Sequence, residues 1–248
     1  MNSTLILKGN ILYTPRPSEF ISIPHGYFIA VDGVVVYCGE SIPPAYAECE
    51  VTDYGDNLII QGFVDTHAHA PQYCNRGLGM DKELLPWLET YTFPEEAKFS
   101  EPDYARLVYG AFVQDLWRNG TTRSILFGTS HKESTLVLME LLQKAGLSAY
   151  VGKVNMDRNS PEFLIEKTEQ SLIDTKEWLD ASSQFGPLVK PIITPRFVPS
   201  CTSELMSGLG ELAEDYNVPI QSHLSENHGE IDWVASLHPE SPNYTDVY

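Results

Sequence analysis

Cysteine is scarce: Cys38, Cys49, Cys74 and Cys201 are the only four in 248 residues, and no two form a C-x-x-C pair. That argues against a disulfide framework and predicts free thiols in a reducing compartment. Basic residues are scarce too, with 16 Lys+Arg against 34 Asp+Glu and a formal charge of −18. An anionic surface repels phosphate backbones, which excludes nucleic-acid binding through a basic face. The acidic residues are dispersed, as on a solvated surface, and are not blocked into a tail. No run approaches the roughly 18 apolar residues of a membrane span. Residues 1–10 carry neither the basic start nor the long apolar stretch of a secretory signal. The expectation is a cytoplasmic protein with no membrane and no nucleic-acid partner. Internal repeats, low-complexity tracts and flexible linkers are also absent.

What is present is an ordinary globular mixture, 42% apolar and 20% charged, with aliphatic and aromatic residues spread along the chain. Such a mixture builds a core and is incompatible with general disorder. The length sits near the roughly 250 residues of a β/α barrel. Texture changes near residue 57. Before it lie short β-type runs, Thr4–Leu7, Gly26–Val31 and Val34–Cys38, with Asp32-Gly33 predicting a hairpin between the last two. No helical periodicity of useful length occurs there, so residues 1–57 are expected to form a small β unit. From 58 onward, apolar runs alternate with amphipathic helices. The runs are Leu58–Val64, Ser124–Phe127, Ala149–Val154, Val189–Thr194 and Pro219–Ser222. Helices are predicted from an N-cap at Ser100 to Asn119-Gly120, over Glu133–Ala145, over Pro161–Ser182 and over Thr202–Tyr216. Strand–helix alternation implies right-handed βαβ units and a parallel sheet.

In parallel β/α folds, ligands meet the carboxyl ends of the strands. The first run ends in His67-Ala68-His69, and period-two alternation puts both imidazoles on one side. Two neutral imidazoles suit a borderline divalent metal such as zinc, although His-x-His alone is a weak sign. The fifth run also ends in a histidine, His223, which taken singly is as readily a hydrogen-bonded core residue. Glu226 follows where the chain leaves the strand, and a carboxylate beside a metal-activated water can accept and donate its proton. The fourth run ends in Arg196-Phe197, a pair suited to a planar carbonyl-bearing ligand. Arg196 could equally be a surface residue paired with an acid. Gln72 offers an amide three residues after His69, and a solvated loop role fits it too.

The stretch Gly62-Phe63-Val64-Asp65-Thr66-His67-Ala68-His69-Ala70-Pro71-Gln72-Tyr73 resembles the start of the barrel in the amidohydrolase superfamily. The Ala-Pro-Gln-Tyr continuation is similar to the guanine deaminases in particular. The likeness extends through Tyr91-Thr92-Phe93-Pro94-Glu95, Asn119-Gly120-Thr121-Thr122, Val151-Gly152-Lys153-Val154 and Met156-Asp157. It returns in Thr194-Pro195-Arg196-Phe197 and Gln221-Ser222-His223-Leu224-Ser225-Glu226-Asn227. The resemblance implies an α/β fold of the (β/α)8 TIM-barrel type over 58–248, preceded by residues 1–57 as part of a composite β-sandwich. It implies one zinc ion, with ferrous iron the alternative, on His67, His69 and His223. It assigns proton shuttling to Glu226 and purine binding to Gln72, Arg196 and Phe197. The implied reaction is hydrolytic: zinc-activated hydroxide attacks C2 of guanine, and xanthine and ammonia result. The implied assembly is a homodimer.

Two parts of that pattern have no counterpart in the 248 residues: a later His after strand six and a metal-binding Asp after strand eight. His25, His131, His228 and His238 sit in the β unit or on helical segments and read as structural or surface residues. Five βα units cannot close an eight-stranded barrel. The expectation is therefore the N-terminal portion of a longer deaminase, with exposed strand edges, weak zinc binding and no useful activity alone. Two other readings compete. One is a sister amidohydrolase acting on cytosine, an adenosine-type base or a chlorotriazine, distinguished only by Gln72 and Arg196-Phe197. The other is a metal-free scaffold, against which His67, His69, His223 and Glu226 argue together. Zinc deaminases with H-x-E and P-C-x-x-C motifs are excluded, since neither motif occurs.

Overall fold

A computed structural model describes residues 3–248, which divide into two compact units, the first ending at Gly62 and the second running Phe63–Tyr248. The first is one four-stranded sheet in the order β3-β2-β1-β4, formed by β1 (Thr4–Arg16), β2 (Glu19–Val31), β3 (Val34–Gly39) and β4 (Thr52–Ile60). Asp32 and Gly33 both take positive φ, 51° and 79°, the conformation a tight two-residue hairpin requires. The predicted hairpin is thus present, and β1 and β2 extend well beyond the runs that announced them. The small β unit expected as part of a composite β-sandwich is, among the described residues, a single sheet.

The expected boundary at 57 moves to Gly62, because Leu58–Val64 is not one strand. Ile59 and Ile60 pair in parallel with Ile11 and Leu12 of β1. Ile59 also lies so close to Gly9 that a Cβ there would stand 2.9 Å from its Cδ1. Gln61 Oε1 then accepts the backbone N–H and the hydroxyl of Thr14, both at 3.2 Å, and Gly62 ends the unit.

The second unit begins with β5 (Phe63–His69) and alternates thereafter. Short turns carry the chain through α1 (Leu84–Trp87), a π-helical turn (Leu88–Thr92) and α2 (Phe93–Glu96) into α3 (Pro102–Arg118). Then follow β6 (Thr121–Phe127), α4 (Lys132–Ala145), β7 (Ser148–Gly152), β8 (Val154–Asn155), α5 (Thr168–Ser182), β9 (Val189–Pro191), β10 (Thr194–Pro195), α6 (Ser203–Tyr216) and α7 (His228–Leu237). The main sheet is parallel in the order β5-β6-β7-β9, so each strand lies beside its predecessor in sequence. That singly wound order is a barrel's, whereas doubly wound sheets reverse direction. The core lies between sheet and helices, where Leu126, Val151 and Ile193 meet Tyr109, Leu138, Leu142, Trp178 and Leu209.

Four local expectations change. Glu101, not Ser100, caps α3, and Pro102 starts it with a preset φ and no N–H to leave unpaired. The helix predicted from Pro161 starts at Thr168. Ahead of it the Glu166 carboxylate is drawn inward by the Lys153 ammonium at 2.6 Å and the Met156 N–H at 3.1 Å. The third and fourth runs each break, at Lys153 and Ile192-Ile193, so that β8 and β10 pair separately. The fifth run forms only one bridge, between Ile193 and Ile220, and Pro219 has no N–H to extend it toward the amino end. No helix among the described residues is long and apolar enough to cross a membrane, and all four cysteines are free.

Candidate metal centre

β5 delivers His67 and His69 from its carboxyl end, and the segment after Ile220 delivers His223. Candidate ligand atoms of the three imidazoles all lie within 4.8 Å of one another. Nε2 of His69 faces Nε2 of His223 at 3.0 Å. Phe127, the last residue of β6, forms an apolar floor, its ring stacked on His69 at 4.6 Å and 4.4 Å from His223. Such a floor packs against the imidazoles and restricts their ring orientations.

The protonation states favour coordination. Nδ1 of His223 lies 2.6 Å from the Arg196 carbonyl oxygen, which can only accept, so Nδ1 carries the proton and the Nε2 lone pair is free. Burial, with Arg196 and His67 nearby, lowers the His223 imidazole to about 4, against the opposing pull of that carbonyl. Burial, followed by His223, Arg196 and His67, pushes His69 well below its ordinary value. Nδ1 of His69 is buried without a hydrogen-bond partner. Three converging imidazoles, at least two of them held neutral, fit a borderline divalent cation. Among the described residues this trio is the one cluster of that kind.

The trio opens into a cavity of about 220 Å³, walled by Gln72, Leu84, Trp87, Leu88, Arg196, Phe197 and Glu226 as well. Drug-sized pockets run from roughly 300 to 1,000 Å³, so this one favours a small ligand. Every residue singled out from the sequence therefore meets at one place. Gln72 and Arg196 are not solvated surface residues. Arg196 is 3% exposed, its Nη1 donates to Glu96 Oε2 at 2.6 Å, and its Cζ lies 5.1 Å from the Phe93 ring centre. Phe197 is buried among Phe127, Val154, Met156 and Leu164 while still lining the cavity.

Glu226 lines the cavity yet stays in reach of solvent. It follows Ser225, whose φ of +55° turns the chain out of the strand direction. Partial burial, then the adjacent Glu230 carboxylate, pushes its carboxyl up, while His67 and Arg196 pull the other way. The other histidines stand apart from this cluster. His228 begins α7, His131 precedes α4, and buried His238 sits 3.4 Å from Arg158. Sequence reasoning missed Glu96, Phe127 and the Leu84–Trp87–Leu88 wall. Glu96 adjoins the quoted Tyr91–Glu95 motif, but nothing in the sequence distinguishes a buried acid there from an exposed one.

Residues 58–248 match the Amidohydrolase family. A guanine deaminase of Dictyostelium discoideum is 52% identical over 199 residues, 80% of this chain and 44% of that protein. One from Mus musculus is 46% identical over 257 residues, 98% of this chain and 56% of that protein. Among solved structures, guanine deaminase from C. acetobutylicum with bound guanine in the active site superposes with a TM-score of 0.97 at 50% identity. That match covers 99% of this chain and 59% of the other. The chain spans about half the length of the curated relatives it matches.

Proposed function

The chain belongs to the amidohydrolase family, and from that premise we propose that it serves the hydrolytic deamination of guanine to xanthine and ammonia. The observation that carries this reading is a shared cavity: the His67–His69–His223 trio and the Arg196–Gln72 pair line the same small space. The guanine-bound structural relative, at 50% identity, supports guanine over other heterocycles.

His67, His69 and His223 are the residues that would hold the ion, zinc or ferrous iron. When bound, it supplies Lewis acidity that brings the pKa of water from 15.7 to near 7. Glu226 is then the proton carrier. Lining the same cavity, its carboxylate takes a proton from the attacking water and returns it to the ring nitrogen beside C2. The guanidinium of Arg196 donates to an acceptor on the purine edge, Gln72 contributes its amide, and Phe197 packs against the ring. The Leu84–Trp87–Leu88 wall gives the cavity an apolar side, which strengthens the polar contacts beside it.

The test is to incubate the natural protein carrying this chain with guanine and quantify xanthine and ammonia. Stoichiometric formation of both is expected, with turnover lost in His67→Ala and Glu226→Gln. Conversion of cytosine, an adenosine-type base or a chlorotriazine with guanine untouched would overturn the substrate; turnover surviving in both variants would overturn the mechanism.

A further inference from the structure

Glu96 ends α2 directly after the π-helical turn, a distortion often found at functional sites. It is 2% exposed. Its Oε2 accepts from Arg196 Nη1 at 2.6 Å, and its Oε1 lies 3.4 Å from Gln72 Nε2. One buried carboxylate thus touches two of the polar residues that line the cavity beside the histidines, although Gln72 is 24 residues and Arg196 100 residues away in sequence. A buried ion pair is weak evidence for stability, because an apolar pair of similar volume often serves as well. A reason for it is better sought in what it holds in place.

The chemistry of the carboxylate sets that geometry. An ionised Glu96 can only accept, so Gln72 must turn its NH2 toward it and present its carbonyl oxygen elsewhere. Arg196 has Nη1 committed to Glu96 and its Cζ 5.1 Å from the Phe93 ring centre. Its Nε and Nη2 find no protein acceptor among the described residues, and Arg196 lines the cavity. The cavity therefore receives N–H donors from Arg196 and an acceptor from Gln72. That polarity is complementary to a heterocycle edge carrying an acceptor oxygen or nitrogen beside an N–H, as in a cyclic amide.

We propose that Glu96 is a positioning residue for ligand recognition, clamping Arg196 and Gln72 so that together they read the donor–acceptor edge of a planar cyclic amide. Glu96 touches no ligand itself. The proposal rests on the guanine reading for its ligand, but the clamp is a separate claim about the chain.

The experiment uses the natural protein carrying this chain, metal-loaded, with Glu96→Gln and Glu96→Asp. The Arg196 side-chain Nε–H signal is identified by its loss in Arg196→Lys and followed by 15N NMR; guanine turnover is followed alongside. In Glu96→Gln the Arg196 signal should move to the position of a free arginine, and kcat/KM for guanine should fall about tenfold or more, chiefly through KM. Bound zinc should be unchanged, since Glu96 is not in the imidazole trio. Should Glu96→Gln fold poorly, Glu96→Asp keeps the charge but retracts it by one methylene, and the same KM rise is expected at near-native melting temperature. An unmoved Arg196 signal with unchanged KM in the folded variant overturns the proposal, even where the melting temperature drops. If the wild type converts no guanine, the functional reading fails, and the Arg196 signal alone decides the clamp.

Discussion

Glu230, fully buried, accepts the backbone N–H of Glu226 on Oε2 at 2.8 Å while Tyr244 donates its hydroxyl to Oε1 at 2.5 Å. The carboxylate also takes the N–H of Asn227 at 3.2 Å, and Asn227 caps α7 in return. Glu230 thus ties the first turn of a helix to the loop that carries Glu226, at the end of a segment with almost no ladder of its own.

Removing Glu230 leaves those donors without their acceptor. Glu230→Ala is expected to cost about 1–3 kcal/mol of stability, from buried unpaired groups and a lost capping box. Tyr244→Phe should cost about 1.5–3 kcal/mol, because it leaves a buried carboxylate oxygen without its donor. Urea denaturation midpoints at constant slope check both; equal stability of Glu230→Ala and wild type would discard the tie.

Metal binding should depend steeply on the buried imidazole. In the natural protein carrying this chain, His69→Ala is expected to lower zinc affinity at least about 100-fold, beyond the 10–100-fold typical of losing an outer-shell partner. Competition with a chromogenic chelator measures it. Arg196→Ala should leave the imidazoles in place but remove guanine binding, which separates the two halves of the cavity.

Acid sensitivity is predicted away from the site as well. Hydrogen bonds from Arg106 and then Lys144 hold the Glu140 carboxyl down at about 2. A carboxylate depressed on folding contributes stability that is complete above its unfolded value, roughly 4.3, and is lost as pH falls toward 2. The stability difference between wild type and Glu140→Gln should therefore shrink across that window and hold steady from pH 5 to 8. A difference that persists at pH 2 contradicts it.

The thiols should separate by environment. Cys201 is buried and burial pushes its thiol up to about 11, while Cys49 and Cys74 are exposed and Cys38 is half-buried. With a disulfide reagent at pH 8, Cys49 and Cys74 should react first, Cys38 more slowly, and Cys201 only after unfolding. Mass spectrometry of the labelled peptides reads the order.

The sequence by itself determined the local grammar. Asp32-Gly33 specified its hairpin because it tolerates positive φ. Gly146, at φ +71°, ended α4 for the same reason. His67 and His69 were bound to share a side of β5 through the period of two, and the strand–helix alternation announced a parallel sheet. Tertiary structure decided the rest. Leu58–Ile60 is as apolar as any barrel strand, yet it pairs with β1, because partner choice depends on which surface remains unpaired and not on the run's own composition. Pro219–Ser222 forms a single bridge and still brings His223 within 3.0 Å of His69, held by the Arg196 carbonyl. Glu96 became a buried partner of Arg196 and Gln72 only when distant segments met. Periodicity and turn chemistry act over a few neighbours and can be read along the chain, whereas burial and pairing are properties of the closed fold.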